Sequence, residues 1–340
     1  ITFVLPTVDL GGGCRVLAVY AQRLHERGHD VHVVVPPRRQ PTLRSRLKAL
    51  RQGGNPLAMP RVLPSHFDGL DVPLHLLDRH RPVAAADVPD ADVLVAAFWT
   101  CAEWIQDFPR EKGAKAFFVQ GFEVGDYMPS ERIRASWRLP LHKIVVSGWL
   151  AGIAAKEFDD TDVSLVPNGV DMGHFHWEAR GKQRIPTVGF VYSTTRCKRC
   201  DIIAEAIERA REALPNLRIV SFGHRRPQRG VPFPSRAEFT PTPPQSQLPE
   251  LYASCDAWLQ ASDAEGFGLP VLEAMACRTP VIATPAGAAP ELLSNGGGIL
   301  VERNSAAAMA EAILRMCQLN EEEWIAMSDL AHQTATEYSR

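Results

Sequence analysis

The sequence predicts an α/β protein made of two successive units, each built on a parallel sheet. The first observation is a strand, loop, helix and strand at the start: residues 1–5 are apolar, 16–24 have helical spacing and 31–35 alternate. The second observation is a similar alternation that restarts after Asn168. The third is the length of 340 residues, which corresponds to about two domains at ~150 residues each.

Composition and charge exclude several classes of protein. Contents of 45% hydrophobic and 22% charged residues are typical of a globular chain, and a formal net charge of −2 gives no overall attraction to nucleic acid. No apolar run reaches the ~20 residues of a membrane span, and residues 1–5 lack the basic start of a secretory signal. Seven scattered cysteines favour reduced thiols. We therefore expect a cytoplasmic protein with no nucleic-acid partner.

Short apolar runs between turn-forming stretches predict the further elements. In the first unit, strands are expected at 93–97, 116–119 and 144–146. In the second unit, the expected strands are 187–191, 217–222, 257–260 and 281–283, and the expected helices are 201–213 and 270–276.

Two stretches of the second half have features of their own. The proline-dense stretch 225–245 predicts a surface excursion rather than a core element. Residues 320–340 predict a helix with Trp324, Met327 and Leu330 on one face. We place the unit boundaries at 1–168, 169–319 and 320–340.

The most informative segment is 262–276, Ser-Asp-Ala-Glu-Gly-Phe-Gly-Leu-Pro-Val-Leu-Glu-Ala-Met-Ala. Gly266 and Gly268 allow a ligand to approach the backbone closely, and Pro270 suits the first turn of a helix. The free N–H groups and the dipole of this helix start favour an anion such as phosphate. Glu265 before the helix and Glu273, expected in its first turn, could accept hydrogen bonds from sugar hydroxyls.

This segment closely resembles the signature of retaining glycosyltransferases of the GT-B fold, family 4 (glycosyl transferases group 1). The signature has two glutamates eight positions apart around Gly-Phe-Gly-Leu-Pro, which are Glu265 and Glu273 in this chain. Similar stretches occur in the same order along nearly the whole chain, at 11–13, 25–31, 167–171, 248–256 and 284–291. The resemblance implies two facing Rossmann-like domains with parallel sheets and an inter-domain cleft. It also implies an acceptor-binding first domain, a nucleotide-sugar-binding second domain and a C-terminal helix crossing back toward the first.

The resemblance further implies a role for each residue of the signature. The glutamate that matches Glu265 contacts the donor sugar, and the one that matches Glu273 holds the nucleotide ribose. The backbone amides between them, at Gly266, Phe267, Gly268 and Leu269, meet the diphosphate or the sugar. In the first domain, Gly12 and Gly13 would let their loop approach the diphosphate.

A pair of cations opposite the leaving diphosphate is also implied, since the family supplies an Arg and a Lys from the first strand-helix loop of the second domain. Lys198 and Asp201 match that loop. Arg199 stands where the family has Gly. Phe190, just after Gly189, stands where the family has its usual Arg, so Arg196 is our substitute for that Arg. Arg278 likewise stands at the frequent Gly of the family's Ala-Cys-Gly-Thr-Pro stretch.

The end of the strand at 116–119 departs from many relatives. Gln120 stands where they carry a His near the reacting carbon. The pattern Phe-Val-Gln-x-x-Glu, which ends at Glu123, is similar to a subgroup that includes bacterial rhamnosyltransferases. We therefore expect Gln120 and Glu123 near the acceptor or the reaction centre. A Gln at this position can equally be a strand-end residue that satisfies backbone groups.

These features together predict a retaining hexosyl- or deoxyhexosyltransferase of cell-surface glycan biosynthesis. It would move a sugar from a nucleotide-diphosphate sugar to a hydroxyl of a glycan, lipid-linked or small-molecule acceptor. The alternative is a sugar-nucleotide epimerase or a non-catalytic sugar-nucleotide binding protein on the same fold. A nicotinamide-dependent oxidoreductase is excluded, because residues 11–13 do not form G-x-G-x-x-G and no acid ends the second strand.

No cofactor and no metal are expected, because the family's side-chain cations replace a metal. Asp-x-Asp occurs at 90–92 and 160–162, but each pair precedes a strand instead of following one. We expect these aspartates to be solvated turn acids.

Residues 38–51 form a basic segment with six cations and no acid. Leu43, Leu47 and Leu50 have helical spacing within it. A basic amphipathic helix of this kind is a candidate for peripheral contact with the inner face of the cell membrane. The alternative is a solvated helix face.

Overall fold

A computed structural model describes residues 1–39, 64–122, 129–228 and 230–339 of the chain. The chain divides into two compact units. The first comprises Ile1–Val145 with Ala151–Val166, and the second comprises Val146–Leu150 with Pro167–Arg340. Each unit contains its own parallel sheet.

The first unit is built on a parallel sheet whose inner strands are rich in buried Val, Leu and Phe. Its described strands are β1 (Thr2–Val4), β2 (His32–Val35), β3 (Leu74–Leu76), β4 (Val93–Ala96), β5 (Ala114–Val119), β6 (His142–Val145) and β7 (Val163–Leu165). Their order is β3-β2-β1-β4-β5-β6-β7. The apolar inner strands are typical of strands covered on both faces. The described helices are α1 (Gly12–Glu26), α2 (Trp99–Ile105), α3 (Ser130–Trp137) and α4 (Gly148–Phe158). The first three residues of α4 group with the second unit.

The glycine-rich start of α1 differs from the prediction. The sequence predicts a loop at 11–13, but Gly12 and Gly13 are the first two residues of the helix. Gly11 is the N-cap, and its N–H donates to Asp9 Oδ1 over 2.8 Å, which stabilises the entry turn. At the other end, Gly28 follows the helix with φ +89°, a left-handed conformation that glycine adopts readily just after a helix.

The second unit is built on a parallel sheet whose described order is β10-β9-β8-β11-β12-β13. These strands are β8 (Thr187–Val191), β9 (Arg218–Gly223), β10 (Glu238–Pro241), β11 (Ala257–Gln260), β12 (Val281–Ala283) and β13 (Gly298–Leu300). The described helices are α5 (Cys200–Ala213), α6 (Leu248–Ala253), α7 (Leu269–Ala276), α8 (Ala289–Leu292), α9 (Ala306–Gln318) and α10 (Glu321–Glu337).

The proline-dense stretch 225–245 contains a strand, so its prediction as a mere surface excursion is wrong at β10. Residues 238–241 pair in parallel with β9 and form one edge of the sheet. An edge strand pairs on one side alone, and it therefore tolerates Pro241, which has no N–H to donate.

The C-terminal helix α10 begins at a capping box, in which Asn320 and Glu323 each accept from the other's N–H. Its buried face differs from the prediction, because Trp324 is fully buried whereas Leu330 is 37% exposed. Ser328, rather than Leu330, lies on the inner face and donates to the carbonyl of Arg278 just after α7. The helix groups with the second unit, and its crossing toward the first stays a prediction.

The basic segment 38–51 lies mostly outside the described residues. Arg38 and Arg39 are described and exposed, and the helix and membrane contact predicted for the segment stay predictions. In the described part of the chain, no helix is both long and apolar enough to cross a bilayer.

Candidate active site

Two loops of the second unit meet because they follow neighbouring strands. β8 and β11 pair in parallel, so their carboxyl ends share one edge of the sheet. After β8, Arg196–Lys198 form a 3₁₀ turn, and Arg199 leads into α5. After β11, residues 261–268 lead into α7. The N–H of Asp263 in the second loop donates to the carbonyl of Cys197 in the first over 2.8 Å, which joins the two loops.

Lys198 and Glu265 form the central contact between these loops. Lys198 Nζ lies 2.6 Å from Oε1 and 2.7 Å from Oε2 of Glu265. The Ser262 hydroxyl also donates to Oε1, over 2.7 Å. Burial lowers the pKa of Lys198, but the adjacent Glu265 carboxylate more than offsets burial and raises that pKa above its usual value. The lysine is therefore an ammonium ion held against a carboxylate.

Arg196, Cys197 and Cys200 flank Lys198 in the first loop. Arg196 lies two residues before Lys198 in the same turn, and its side chain is exposed. Cys197 and Cys200 are not joined in a disulfide. The Cys200 sulfur accepts from the N–H of Ser193, and burial raises the pKa of its thiol. Cys200 is therefore a buried packing residue of the loop.

The helix start that was predicted to meet an anion lies beside Glu265. Gly268 is the N-cap of α7 with φ +97°, a left-handed conformation that favours glycine. The ring of Phe267 is buried, so the backbone is the part of this residue that a ligand could reach. Gly287 packs against the turn so tightly that a Cβ there would lie 2.5 Å from the carbonyl oxygen of Phe267. The close packing of Gly287 thus helps to fix the turn from Gly266 to Leu269.

Glu273 lies deeper than predicted. Because α7 begins at Leu269, Glu273 is its fifth residue, so the prediction of a first-turn glutamate is wrong. Its side chain is 4% exposed, and Oε2 accepts a 2.7 Å hydrogen bond from the hydroxyl of Tyr252 on α6. Sequence reasoning did not find Tyr252, because its partner lies 21 positions away on another helix.

Two predicted residues of the first unit are brought together. Gln120 follows β5, and its Nε2 donates to the carbonyl of Gly13 in α1 over 3.3 Å. This is the backbone-satisfying role that the sequence left open for Gln120. Gly12 and Gly13 are both exposed at the start of α1. Glu123, the other residue expected here, lies outside the described residues.

The two Asp-x-Asp pairs are partly engaged in ion pairs. Asp90 accepts from Lys112 over 2.8 Å. Asp160 lies 2.7 Å from Lys143, whose side chain is almost fully buried. The prediction that Asp160 is a solvated turn acid is therefore wrong. Within the described ranges, no three His, Cys, Asp or Glu side chains are grouped so that they could hold a metal ion.

The family model described as Glycosyl transferases group 1 matches residues 183–318, which include Lys198, Glu265 and Glu273. The match shows a Glycosyl transferases group 1 domain in this part of the chain. The D-inositol 3-phosphate glycosyltransferase of Actinosynnema mirum is 30% identical over 204 residues, which are 53% of this chain and 48% of the relative. The chain spans half or less of the length of the curated relatives it matches.

Solved structures confirm the predicted GT-B type of fold, with two Rossmann-like α/β units. HepE of Anabaena, crystallised with UDP-glucose, has a TM-score of 0.75 at 15% identity, over 99% of this chain and 94% of its own. WaaG, a glycosyltransferase involved in lipopolysaccharide biosynthesis, has a TM-score of 0.69 at 17% identity, over 98% of this chain and 95% of its own. At these identities the likeness shows the fold alone.

Three arginines of residues 183–318 have a left-handed backbone, namely Arg199 with φ +48°, Arg236 with φ +55° and Arg278 with φ +60°. Arg199 and Arg278 are the two that stand where the resembling motifs have Gly. Arg199 is held by Asp201 at 2.9 Å and by Asp263 at 3.4 Å. Arg278 forms an ion pair with Asp329 of α10. Each of these two arginines therefore keeps a glycine-like backbone while its side chain ties the turn to a neighbouring carboxylate.

Proposed function

We propose that this chain transfers a sugar from a nucleoside diphosphate sugar to an acceptor hydroxyl with retention of the anomeric configuration. The observation that carries the proposal is the pairing of Lys198 with Glu265 beside the N-terminus of α7. A cation, a carboxylate and a set of backbone N–H groups at one loop edge suit a ligand that has both phosphate and hydroxyl groups.

In the proposed donor complex, the diphosphate lies against Lys198 and Arg196 and against the N–H groups of residues 266–269. Placed cations and N–H dipoles stabilise negative charge as it develops on a leaving phosphate. Glu265 orients the sugar by accepting from its hydroxyls. Glu273, held by Tyr252, accepts from the ribose.

The reaction proceeds through an oxocarbenium-like state at the anomeric carbon. The bond to the diphosphate oxygen breaks, and the electron pair stays with the diphosphate. The acceptor hydroxyl attacks the anomeric carbon from the same face and passes its proton to the departing diphosphate oxygen. Glu265 acts here by orientation and charge. Lys198 and Arg196 supply the positive charge that a metal ion would otherwise place on the diphosphate. Turnover is therefore expected to persist when a chelator is added.

The first unit is proposed to take the acceptor, with Gly12, Gly13 and Gln120 near the reacting groups. HepE is crystallised in complex with UDP-glucose, and this complex supports a uridine nucleotide as the first donor to test. The named activity of the Actinosynnema mirum relative supports a small-molecule acceptor. Peripheral contact with a membrane through residues 38–51 rests on the sequence alone.

Ligand-induced stabilisation is the first test. The chain is heated with UDP, GDP, dTDP and their sugars, and a ligand at 100 times its Kd should stabilise it by ~2.7 kcal/mol. Product analysis with and without an acceptor then separates transfer from epimerisation. A sugar isomerised without acceptor would overturn the proposal in favour of an epimerase, which the glycosyltransferase relatives do not favour.

Substitutions connect the activity to the site. Glu265→Gln and Lys198→Ala should each lower kcat about 10²–10³-fold, the range for loss of one charge-stabilising group. Glu311→Gln and Lys156→Ala, on exposed helix faces, make the same chemical changes elsewhere and should leave kcat unchanged. Full turnover in either site variant would remove the proposed roles.

A further inference from the structure

The two carboxylate oxygens of Glu265 accept different numbers of hydrogen bonds. Oε1 accepts from both Ser262 Oγ, over 2.7 Å, and Lys198 Nζ, over 2.6 Å. For Oε2, the described residues supply one donor, Lys198 Nζ at 2.7 Å. If the ammonium moves away, Oε1 keeps a partner and Oε2 becomes available to a new donor.

We infer that Ser262 is a positioning residue that aims Oε2 of Glu265 at the donor sugar, and that Lys198 changes partner from Glu265 to the diphosphate when the donor binds. This inference rests on the proposed function. Lys198 Nζ is the group that an arriving diphosphate attracts, since charge-assisted hydrogen bonds to phosphate oxygens are strong. The Lys198 side chain is 38% exposed, compared with 11% for Glu265, so an anion from solvent can reach the lysine.

Ser262 is built to stay in place during this exchange. It is 1% exposed, and its carbonyl accepts from the hydroxyl of Thr284 over 2.6 Å. The N–H of Thr284 donates to the carbonyl of Gln260 over 2.9 Å, which fixes the end of β11. A hydroxyl buried at this point acts on a ligand through Glu265.

The two loops stay joined when Lys198 leaves Glu265. Arg199 remains paired with Asp263 at 3.4 Å, and the N–H of Asp263 remains bonded to the carbonyl of Cys197 at 2.8 Å. The exchange therefore requires a side-chain movement of Lys198 and no opening of the loops.

The test compares binding of nucleotide alone with binding of nucleotide sugar on the full chain. Calorimetric Kd values are measured for UDP and UDP-glucose, and in parallel for the GDP and dTDP pairs. Ser262→Ala should leave the Kd for the nucleotide unchanged and raise the Kd for the sugar donor about tenfold, or ~1.4 kcal/mol. Ser221→Ala is the matched control, because Ser221 is a fully buried serine of β9 whose hydroxyl has no partner among the described residues. It should change neither Kd.

A double-mutant cycle separates positioning from a general structural effect. If Ser262 acts through Glu265, then Ser262→Ala should change the Kd of the sugar donor less than twofold in a Glu265→Gln background. Ser262→Cys, which keeps the side-chain size but is a weak donor, should show the same selective loss if Ser262→Ala does not fold.

Three results would overturn the inference. The first is an equal loss for nucleotide and nucleotide sugar, and the second is a loss that persists in the Glu265→Gln background. The third is wild-type affinity for the sugar donor in both serine variants. If the wild-type chain binds none of the nucleotides or their sugars, the proposed function fails as well, and the two failures are thereby distinguished.

Discussion

Tyr252 donates a 2.7 Å hydrogen bond to Glu273 in the interior of the second unit, where the two side chains are 1% and 4% exposed. A hydrogen bond to a charged group contributes ~1.5–3 kcal/mol. Tyr252→Phe should therefore lower the free energy of unfolding by ~2 kcal/mol and weaken nucleotide binding, because Glu273 loses a positioning partner. Urea unfolding and calorimetry measure the two effects.

The control for this substitution is Tyr192→Phe. Tyr192 is also buried, but its oxygen accepts from the neutral backbone N–H of Gln228. Its loss should cost ~1 kcal/mol, the usual value for a neutral pair. Equal losses in the two variants would mean that the charge of Glu273 does not strengthen the Tyr252 bond.

The left-handed arginines predict an unusual response to glycine. At φ +60°, Arg278 carries a backbone strain of ~1–2 kcal/mol that glycine does not have. Arg278→Gly and Arg278→Ala both remove the ion pair with Asp329, so their comparison isolates the backbone. The glycine variant should be more stable than the alanine variant by ~1 kcal/mol in urea unfolding. An alanine variant of equal stability would mean that the turn relaxes in solution.

The sequence predicted the inner strands of both sheets well, because their apolar runs are buried on both faces. The strands at 187–191, 257–260 and 281–283 have the predicted bounds. Edge strands were missed, as at β3 and β10, because they are short and half-exposed and lack a continuous apolar run. Pairing with a neighbouring strand, rather than the local sequence pattern, determines where these edge strands form.

The site could be predicted in part. That Lys198 and Glu265 share an edge follows from the order of parallel strands, and the glycine of resembling motifs signals the left-handed turn at Arg199. The bonds of Ser262 and Tyr252 to the two glutamates could not be predicted, since they depend on side-chain directions that spacing does not specify.

The ion pair of Asp201 with Arg199 predicts that the free energy of unfolding falls at acidic pH. The hydrogen bond from Arg199 lowers the pKa of Asp201. The ion pair therefore stabilises the folded state fully above the unfolded pKa of ~3.9, and this stabilisation is lost as pH falls through the folded pKa of Asp201. The difference in unfolding free energy between wild type and Asp201→Asn should be constant near neutral pH and shrink below pH ~4. An NMR titration midpoint of Asp201 that does not rise in Arg199→Gly would contradict this cause.

Asp160 is predicted to be structural. Its partner Lys143 is 5% exposed, and removing one member of a buried pair costs ~3–5 kcal/mol. Asp160→Ala should lower the stability of the first unit by about 3 kcal/mol, the lower end of that range, because Lys143 also donates to the carbonyls of Leu139 and Leu141. Asp162→Ala, at an exposed position of the same motif, should be within ~0.5 kcal/mol of wild type. Similar losses in both variants would point to a shared role of the two aspartates.

Gln260 at the end of β11 carries a buried amide nitrogen with no partner among the described residues. The amide lies against Gly268, where a Cβ would be 3.2 Å from Nε2. A buried donor without a partner costs ~1–3 kcal/mol, so Gln260→Met, which keeps the length of the side chain, should raise the free energy of unfolding by ~1 kcal/mol. Gln183→Met is the matched control, because Gln183 Nε2 donates to the carbonyl of Ala253 over 3.1 Å and its loss should destabilise. If both variants lower the free energy of unfolding equally, a water molecule accepts the hydrogen bond of Gln260 Nε2 in solution. The prediction that Gln260→Met stabilises the chain would then be wrong.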